Sequence, residues 1–156
     1  MLRLSRLTDY AVVVLVRLAQ TGNVETSPGV AQSVGIPEPT VAKVLKGLAQ
    51  AGLVASQRGA RGGYRLIRPL SAIPVSAVIA AIDGPIALTA CVEGTHGSTC
   101  DSQSQCPMAG RWSVVNDAIS DALSAITLAD MQRTALPVSM QAAVGMPTSG
   151  AFVTHE

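Results

Sequence analysis

Aromatic residues and long hydrophobic runs are both scarce in this sequence. Phe, Trp and Tyr make up 3% of the 156 residues, whereas hydrophobic residues as a whole make up 48%. The core must therefore be built from Ala, Val, Leu and Ile, which favours packed helices over an aromatic-rich β-sandwich. The longest apolar run near the start, Ala11 to Val16, ends at Arg17. It is too short for a membrane span of ~18 residues or for the core of a signal peptide. We therefore expect a cytoplasmic protein that does not act at a membrane.

Histidine is also rare, and cysteine occurs only three times. His96 and His155 are the only histidines, and neither lies in an arrangement that could activate a nucleophile, so the sequence does not predict an enzyme. An odd number of cysteines argues against a secreted protein held together by disulfides. Cys91, Cys100 and Cys106 lie in a polar loop rich in Gly, Ser and Thr. Because cysteines in such a loop are not core residues, we expect them to act through their sulfur chemistry.

The spacing of the three cysteines favours an iron–sulfur cluster over a zinc site. Eight and five residues separate them, unlike the close CxxC pairs of structural zinc sites. Long spacers containing Gly and Ser suit a loop wrapped around a larger group, and three thiolates leave one iron position for another ligand. The candidates for that position are His96, Asp101, Glu93, Asp9 or a small-molecule ligand. A thiol switch, in which two of the cysteines form a disulfide, is the alternative.

Positive charge is concentrated in the first half of the chain. Residues 1–70 carry nine Lys and Arg against three Asp and Glu, a net charge of +6, and residues 71–156 carry two against seven, a net charge of −5. A chain divided in this way can present its basic half to a polyanion while the other half stays away from it. The sequence therefore favours a nucleic acid as the partner of the first half.

The spacing of apolar residues in the first half predicts three helices. A first helix covers residues 3–19, and a second begins near Ser27-Pro28, where Ser can cap the helix and Pro suits its first turn. A third helix follows a Pro-containing turn and closes at Gly52. The second and third helices, joined by a tight turn that contains a glycine, have the layout of a helix-turn-helix.

A β-hairpin is predicted directly after the third helix. Two short strands, residues 53–57 and 64–67, flank the loop Arg58-Gly59-Ala60-Arg61-Gly62-Gly63, which has the glycines that a hairpin turn needs. A hairpin behind a recognition helix is the wing of a winged helix. We therefore predict a mainly α fold with a small β-hairpin wing, and a winged helix-turn-helix DNA-binding domain over residues 1–70.

The second half predicts a dimerisation unit followed by a disordered tail. A fourth helix runs from about Val75 to Ile82, and a long helix runs from about Met108 to Met131 with an apolar stripe at helical spacing. So long a helix predicts packing on the same helix of a second subunit, although packing on the first helix is an alternative. Residues 71–133 thus form the cysteine loop and the dimerisation helix. Residues 134–156 show no hydrophobic period and predict disorder.

Candidate DNA contacts lie on the third helix and on the hairpin. Side chains near the start of a helix in the major groove reach base edges, so Thr40 is a candidate for a base or phosphate contact. Lys43 and Lys46 are candidates for phosphate contacts, which position a protein on DNA. Arg58 and Arg61 could enter a neighbouring minor groove. The remaining candidates are Ser27, Tyr64 and Arg65. Any one of these could be an ordinary solvated side chain, but together they favour DNA binding.

Several segments resemble one family of winged-helix regulators. They are the opening Leu4-Ser5-Arg6-Leu7-Thr8-Asp9-Tyr10-Ala11, the hairpin Arg58-Gly59-Ala60-Arg61-Gly62-Gly63-Tyr64-Arg65-Leu66, the turn Asp83-Gly84-Pro85 and the three spaced cysteines. Together they closely resemble the Rrf family that includes IscR and NsrR, over residues 1 to about 131. Within that family the chain looks most like the regulators of the SUF iron–sulfur assembly system. Those regulators share the Thr8-Asp9-Tyr10 opening, a similar wing and a His-Gly pair before the second cysteine, here His96-Gly97.

The resemblance implies a homodimer that binds a double-stranded DNA operator and represses iron–sulfur assembly genes of the SUF type. It makes Cys91, Cys100 and Cys106 the ligands of an iron–sulfur cluster, with 2Fe–2S favoured over 4Fe–4S. In IscR the fourth ligand is a histidine three residues after the third cysteine, where this chain has Ala109. NsrR-like members instead use an aspartate from the opening segment of the partner subunit, which Asp9 matches. As an alternative, Asp9 serves only to stabilise the start of its own helix.

Other functions are consistent with the same residues. One is a repressor of this family that senses nitric oxide or thiol oxidation, and another is an iron–sulfur carrier or redox enzyme whose basic half meets a partner protein. A thiol switch predicts a colourless protein that responds to diamide. A carrier or an enzyme predicts no salt-dependent binding to duplex DNA.

Overall fold

The computed structural model describes residues 4–89, 92 and 105–133 of the chain. Over these ranges the elements, in chain order, are α1 (Arg6–Thr21), α2 (Ser27–Val34), α3 (Glu38–Gln50), β1 (Val54–Gln57), β2 (Gly63–Leu66), a 3₁₀ turn (Leu70–Ala72), α4 (Val75–Asp83), α5 (Ser113–Ala125) and α6 (Leu128–Met131). The predicted fold class, mainly α with a small antiparallel hairpin, is confirmed. The tail predicted over residues 134–156 lies outside the described residues, as do Cys91, Cys100 and His96.

One apolar face of α1 forms the centre of the core. Its fully buried members are Ala11, Val14, Leu15 and Leu18. Ser5 caps the helix, because its Oγ accepts a hydrogen bond from the backbone N–H of Thr8 at 3.1 Å and so satisfies one of the amides that the first turn leaves unpaired. The helix ends at Gly22, whose φ of 64° is a left-handed conformation that glycine adopts without steric cost.

Helices α2 and α3 form the predicted helix-turn-helix. The sequence predicts Ser27 as the cap of α2, and the structure corrects this by one residue. Thr26 has the extended backbone of a cap, and its Oγ1 accepts from the N–H of Gly29 at 3.2 Å. Helix α3 starts after Pro37 and packs on both α1 and α2. Its buried residues are Val41, Val44, Leu45 and Leu48.

The hairpin follows α3 in the predicted place. Strand β1 pairs with β2 in antiparallel register, from Val54 opposite Leu66 to Gln57 opposite Gly63. A third segment joins this sheet, because Glu25, between α1 and α2, forms an antiparallel bridge with Tyr64 of β2. The wing is therefore attached to the helix-turn-helix through the backbone as well as through the core.

The long helix predicted from Met108 to Met131 is shorter in the structure and is interrupted. Residues 107–112 form turns, with Gly110 at a φ of 71°, so α5 begins only at Ser113. After Ala125 the chain leaves the helix, and a second, four-residue helix follows. The prediction of one continuous helix was therefore wrong.

The predicted helix is interrupted because residues 126–128 pair with residues 73–75 at the start of α4. Thr127 forms an antiparallel bridge with Pro74, and two backbone hydrogen bonds of 2.9 Å hold the segment: Val75 N–H donates to Ile126 O, and Leu128 N–H donates to Ile73 O. This pairing places Leu128 at 0% exposure in the main core, and burial of such a side chain contributes about 1.5–3 kcal/mol. Within the described ranges, no helix is long and apolar enough to cross a membrane.

Candidate nucleic-acid interface and cysteine site

The exposed side of α3 carries two lysines. Because the apolar residues of this helix face the core, Lys43 and Lys46 lie on the opposite side, and both are exposed. Thr40 lies one turn closer to the start of the helix and is half-buried. Gly47, the residue after Lys46 in α3, faces α4, since a Cβ there would lie 3.3 Å from Ile82 Cδ1. The lysine side has the shape and charge that a helix needs to lie in a major groove.

Two arginines lie in the tip of the hairpin. Arg58 and Arg61 are exposed, in a loop closed by a 2.9 Å hydrogen bond from Gly62 N–H to Gly59 O. A Cβ on Gly62 would lie 2.6 Å from Gln57 O, so this turn requires glycine for close approach of the backbone. The tight turn keeps both arginines at the end of the wing, as the sequence predicts.

The other three predicted contacts are distributed between the wing base and α2. Arg65 is exposed on β2, whereas the neighbouring Tyr64 is half-buried and packs against the core, as expected for successive side chains of a strand. Ser27 is half-buried at the start of α2. Tyr64 thus has a structural contact of its own, and Arg65 is the more accessible of the two to DNA.

The charge of the first half is concentrated on exposed side chains. Up to residue 70, seven exposed basic residues form no ion pair with any residue that the structure describes: Arg6, Lys43, Lys46, Arg58, Arg61, Arg65 and Arg68. Arg17 differs, because its guanidinium pairs with Glu25 at 3.0 Å. The sequence counts Arg17 toward the basic face, and the structure neutralises it. The remaining cations still outnumber the two exposed acids, Asp9 and Glu38, and create the positive field that attracts a phosphate backbone.

Both described ends of the cysteine loop are attached close to α5. The side chain of Asn116 is buried, and its Oδ1 accepts from the backbone N–H of Leu88 at 3.1 Å, three residues before Cys91. On the other side, the carbonyl of Cys106 accepts from the N–H of Ala109 at 3.1 Å, in a run of turns that leads into α5. The sequence gives no signal for Asn116, because a polar residue on an amphipathic helix is expected to face solvent.

The donor groups that the structure describes fit an iron–sulfur cluster in their chemistry. Cys106 is a half-buried thiol that forms no disulfide with any residue that the structure describes, so it is available as a ligand. Asp9 is exposed in the first turn of α1 and makes no hydrogen bond or ion pair from its carboxylate within the described ranges. The methyl side chain of Ala109 offers no atom that could bind iron. No group of three His, Cys, Asp or Glu among the described residues could hold a metal, so a site also needs residues outside them.

Asp83 connects the end of α4 to the start of α1, a role that the sequence does not assign to it. Its Oδ2 accepts from Thr8 Oγ1 at 2.8 Å and from Ser5 N–H at 3.3 Å. Partial burial alone would raise the pKa of Asp83, but hydrogen bonds from the Ser5 and Thr8 side chains and the Ser5 amide outweigh it and hold the pKa below its ordinary value. The end of α4, which leads to the cysteine loop, is thereby fixed against Ser5 and Thr8 at the start of α1.

Comparison with known proteins gives matches over most of the chain. Residues 4–134 match the Rrf2 family model, described as an iron-dependent transcriptional regulator. The HTH-type transcriptional regulator IscR of Yersinia pseudotuberculosis is 35% identical over 133 residues, which are 83% of this chain and 79% of IscR. Among solved structures, the fold is similar to CymR, the global cysteine regulator of B. subtilis, with a TM-score of 0.61 and 27% identity over 84% of this chain and 96% of CymR. It is also similar to T. potens IscR, with a TM-score of 0.57 and 28% identity over 96% and 94% of the two chains.

These matches agree with the helix-turn-helix, the wing and the exposed basic residues described above. The similar proteins are transcriptional regulators, and their structures confirm the winged-helix fold class. The chain therefore belongs to the Rrf2 family of DNA-binding transcriptional regulators and is not an enzyme.

Proposed function

We propose that this regulator binds a DNA operator as a homodimer, with α3 in the major groove and the wing at the neighbouring backbone or minor groove. The observation that carries the proposal is the placement of exposed Lys43, Lys46, Arg58 and Arg61 on these two elements, without an ion pair to any described residue. Phosphate contacts from the lysines position the protein, and Thr40 at the start of α3 is placed to contact a base or a phosphate. Because its ligand is DNA, the protein acts in the cytoplasm.

Salt dependence of DNA binding tests this interface. The probe is a labelled duplex of about 30 base pairs, selected with the wild-type protein and long enough for two half-sites one helical turn apart. Each phosphate contact contributes ~0.9 to the slope of log K against log salt concentration. Replacing Lys43 and Arg61 by Ala should therefore weaken binding and flatten the slope by about two units per subunit. Arg111→Ala, at an exposed arginine outside the basic half, is the matched control, and an unchanged slope in the double variant would contradict the interface.

The homodimer rests on the exposed side of α5. The predicted apolar stripe divides in the structure: Leu123 and Ile126 pack against the core, whereas Trp112 and Val115 are exposed by 41% and 44%. Val114, which the predicted stripe does not include, is exposed by 76%. Ala118 and Ala122 continue the exposed side. Apolar side chains arranged along one exposed helix face are typical of a subunit interface, and we propose that α5 packs on α5 of a second subunit.

We further propose that the regulator senses an iron–sulfur cluster, of the 2Fe–2S type in preference to 4Fe–4S, and represses assembly genes of the SUF type. Cys91, Cys100 and Cys106 are the proposed ligands, with Asp9 of the partner subunit as the fourth. Support comes from the family description as iron-dependent and from two groups near the start of α1 and the end of the cysteine loop. Within the described ranges, the Cys106 thiol forms no disulfide and the Asp9 carboxylate forms no ion pair. When bound, the cluster supplies a centre that oxidation or iron shortage can remove.

The residues at the ends of the cysteine loop connect the proposed site to the rest of the fold. Asn116 holds Leu88 against α5, and Asp83 holds the end of α4 against Thr8 at the start of α1. A change in the loop can therefore reach both the proposed dimer helix and the first helix of the DNA-binding unit. Such coupling requires that the ligand bind one arrangement of these elements more tightly than another.

A further inference from the structure

The short segment between α1 and α2 connects three parts of the DNA-binding unit at one residue. The backbone N–H of Glu25 donates to Tyr64 O at 2.9 Å, and its carbonyl accepts from Tyr64 N–H at 2.7 Å. The next residue, Thr26, caps α2. Glu25 therefore lies between the wing, through Tyr64, and the first helix of the helix-turn-helix.

The side chain of Glu25 adds a third connection, to α1. Glu25 Oε1 lies 3.0 Å from Arg17 Nη2, and the two side chains are 16% and 33% exposed. Arg17 Nε and Glu25 Oε2 are buried and have no hydrogen-bond partner among the residues that the structure describes. The pair is thus more shielded from water than an ordinary surface ion pair, and removing either partner would leave the other charge poorly solvated.

The contact between this segment and the wing leaves no room for adjustment. A Cβ on Gly63 would lie 2.4 Å from Glu25 O, 2.7 Å from Glu25 C and 2.9 Å from Val24 Cγ1. Such distances are below van der Waals contact, so the strand and the segment approach as closely as two backbones can. The position of Glu25 therefore determines the position of the wing base.

We propose that Arg17 and Glu25 are positioning residues for DNA binding, which fix the wing relative to α3 by holding the Glu25 segment against α1. The inference rests on the proposed contacts of α3 and the wing with DNA. Arg17 lies on α1, which packs directly on α3, so the ion pair connects the element behind the recognition helix to the base of the wing. Because the wing is already held in place, it can contact the DNA backbone without losing further conformational entropy on binding.

The consequence is that Arg17 itself does not add to the phosphate contacts. Its guanidinium is neutralised by Glu25, unlike the exposed arginines of the wing tip. Loss of Glu25 should thus weaken DNA binding although it removes a negative charge, which is the opposite of the effect expected from net charge alone. The direction of this change in DNA affinity therefore distinguishes a positioning role from an effect of net charge.

The test compares Glu25→Gln, Arg17→Gln and the exchanged pair Arg17→Glu with Glu25→Arg, on the selected duplex of about 30 base pairs. Either single variant should raise Kd about 5- to 10-fold and flatten the salt slope by about one unit, since the wing loses a phosphate contact. The exchanged pair should restore at least half of the lost slope. Arg133→Gln, which breaks the Arg133–Asp130 pair at its exposed partner and leaves the hydrogen bond between Thr127 and Asp130 in place, is the matched control and should bind like the wild type.

Amide hydrogen exchange of the DNA-free protein gives a second readout. Exchange of the Tyr64 and Glu25 amides should become about 5-fold faster or more in Glu25→Gln, while core amides of α1 stay protected. Wild-type exchange at these amides, or tighter DNA binding by Glu25→Gln, would overturn the proposal. The proposal would also be overturned if the single variants bound DNA more weakly with an unchanged salt slope and the exchanged pair restored nothing. That result would indicate only a loss of protein stability. If the wild-type protein shows no salt-dependent duplex binding, the proposed function fails and this inference fails with it.

Discussion

Replacing Asp83 by Ala removes the acceptor that connects the end of α4 to the start of α1. The lost contacts are the 2.8 Å hydrogen bond from Thr8 Oγ1 and the 3.3 Å hydrogen bond from Ser5 N–H. Thr8 is 2% exposed, so water cannot readily replace the lost partner of its hydroxyl. The substitution should therefore destabilise the junction between the two helices without changing the core.

The size of the effect follows from the exposure of the two ends. A hydrogen bond to a charged acceptor contributes about 1.5–3 kcal/mol, but Asp83 is itself exposed, and screening by solvent reduces this to about 1 kcal/mol. The buried Thr8 hydroxyl left without its acceptor adds about 1 kcal/mol. Asp83→Ala should lower the free energy of unfolding by about 2 kcal/mol, and Asp83→Asn, which keeps an acceptor oxygen, by about 1 kcal/mol.

The pH dependence of unfolding separates the charge from the hydrogen bond. Because folding lowers the pKa of Asp83 below its ordinary value of 3.8, its charge stabilises the protein above that value, and this contribution is lost as the pH falls through the folded-state pKa. The urea midpoint of unfolding should therefore decrease between about pH 7 and about pH 3, and this decrease should be larger for the wild type than for Asp83→Asn. Asp117→Asn, at an exposed acid on α5, is the control. Equal midpoints for the wild type and Asp83→Ala at neutral pH would show that Asp83 does not stabilise the junction between α4 and α1.

Three further predictions concern the wing, the cysteine loop and the dimer. Gly63→Ala introduces a methyl group 2.4 Å from a backbone oxygen and should cost about 2–3 kcal/mol, through strain and the loss of two bridging hydrogen bonds. In contrast, Gly47→Ala in α3 should leave the free energy of unfolding unchanged or raise it by up to about 1 kcal/mol. Equal losses of stability for the two variants in thermal unfolding would contradict the steric role of Gly63. Asn116→Ala leaves the Leu88 amide without its acceptor and should lower the free energy of unfolding by about 1–2 kcal/mol. It should also lower the iron content after anaerobic purification. A wild-type iron content would show that this contact does not support the site. Val114→Asp places a charge on a side chain that is 76% exposed; sedimentation should show a shift from dimer to monomer, and an unchanged dimer would exclude this face of α5 as the interface.

The elements of the first half are predictable because their signals are local. Helical spacing of apolar residues, capping residues and a glycine-rich hairpin loop each act within a few neighbours in sequence. The resulting bounds differ from the structure by at most three residues. The error at the cap of α2 is of this kind, since adjacent Thr26 and Ser27 can both cap a helix and only the backbone conformation decides between them.

The parts that could not be predicted depend on contacts distant in sequence. The break after Ala125 comes from pairing of Thr127 with Pro74, and the apolar stripe of residues 112–126 gives no sign of it. The Asp83–Thr8 contact and the Arg17–Glu25 pair likewise depend on the packing of helices against one another. A net-charge count treats Arg17 as part of the basic face, because sequence alone does not show that Glu25 neutralises it.

Iron content, acid-labile sulfide and the absorbance spectrum of protein purified without oxygen show directly whether Cys91, Cys100 and Cys106 hold an iron–sulfur cluster in this DNA-binding regulator. A cluster on these ligands predicts a brown wild-type protein with near-equal iron and sulfide, and a colourless but folded Cys100→Ala variant. A colourless wild-type protein that cannot be reconstituted, and whose DNA binding responds to diamide, would contradict the cluster and indicate a thiol switch instead. A brown, iron-replete Cys100→Ala variant would contradict the ligand assignment.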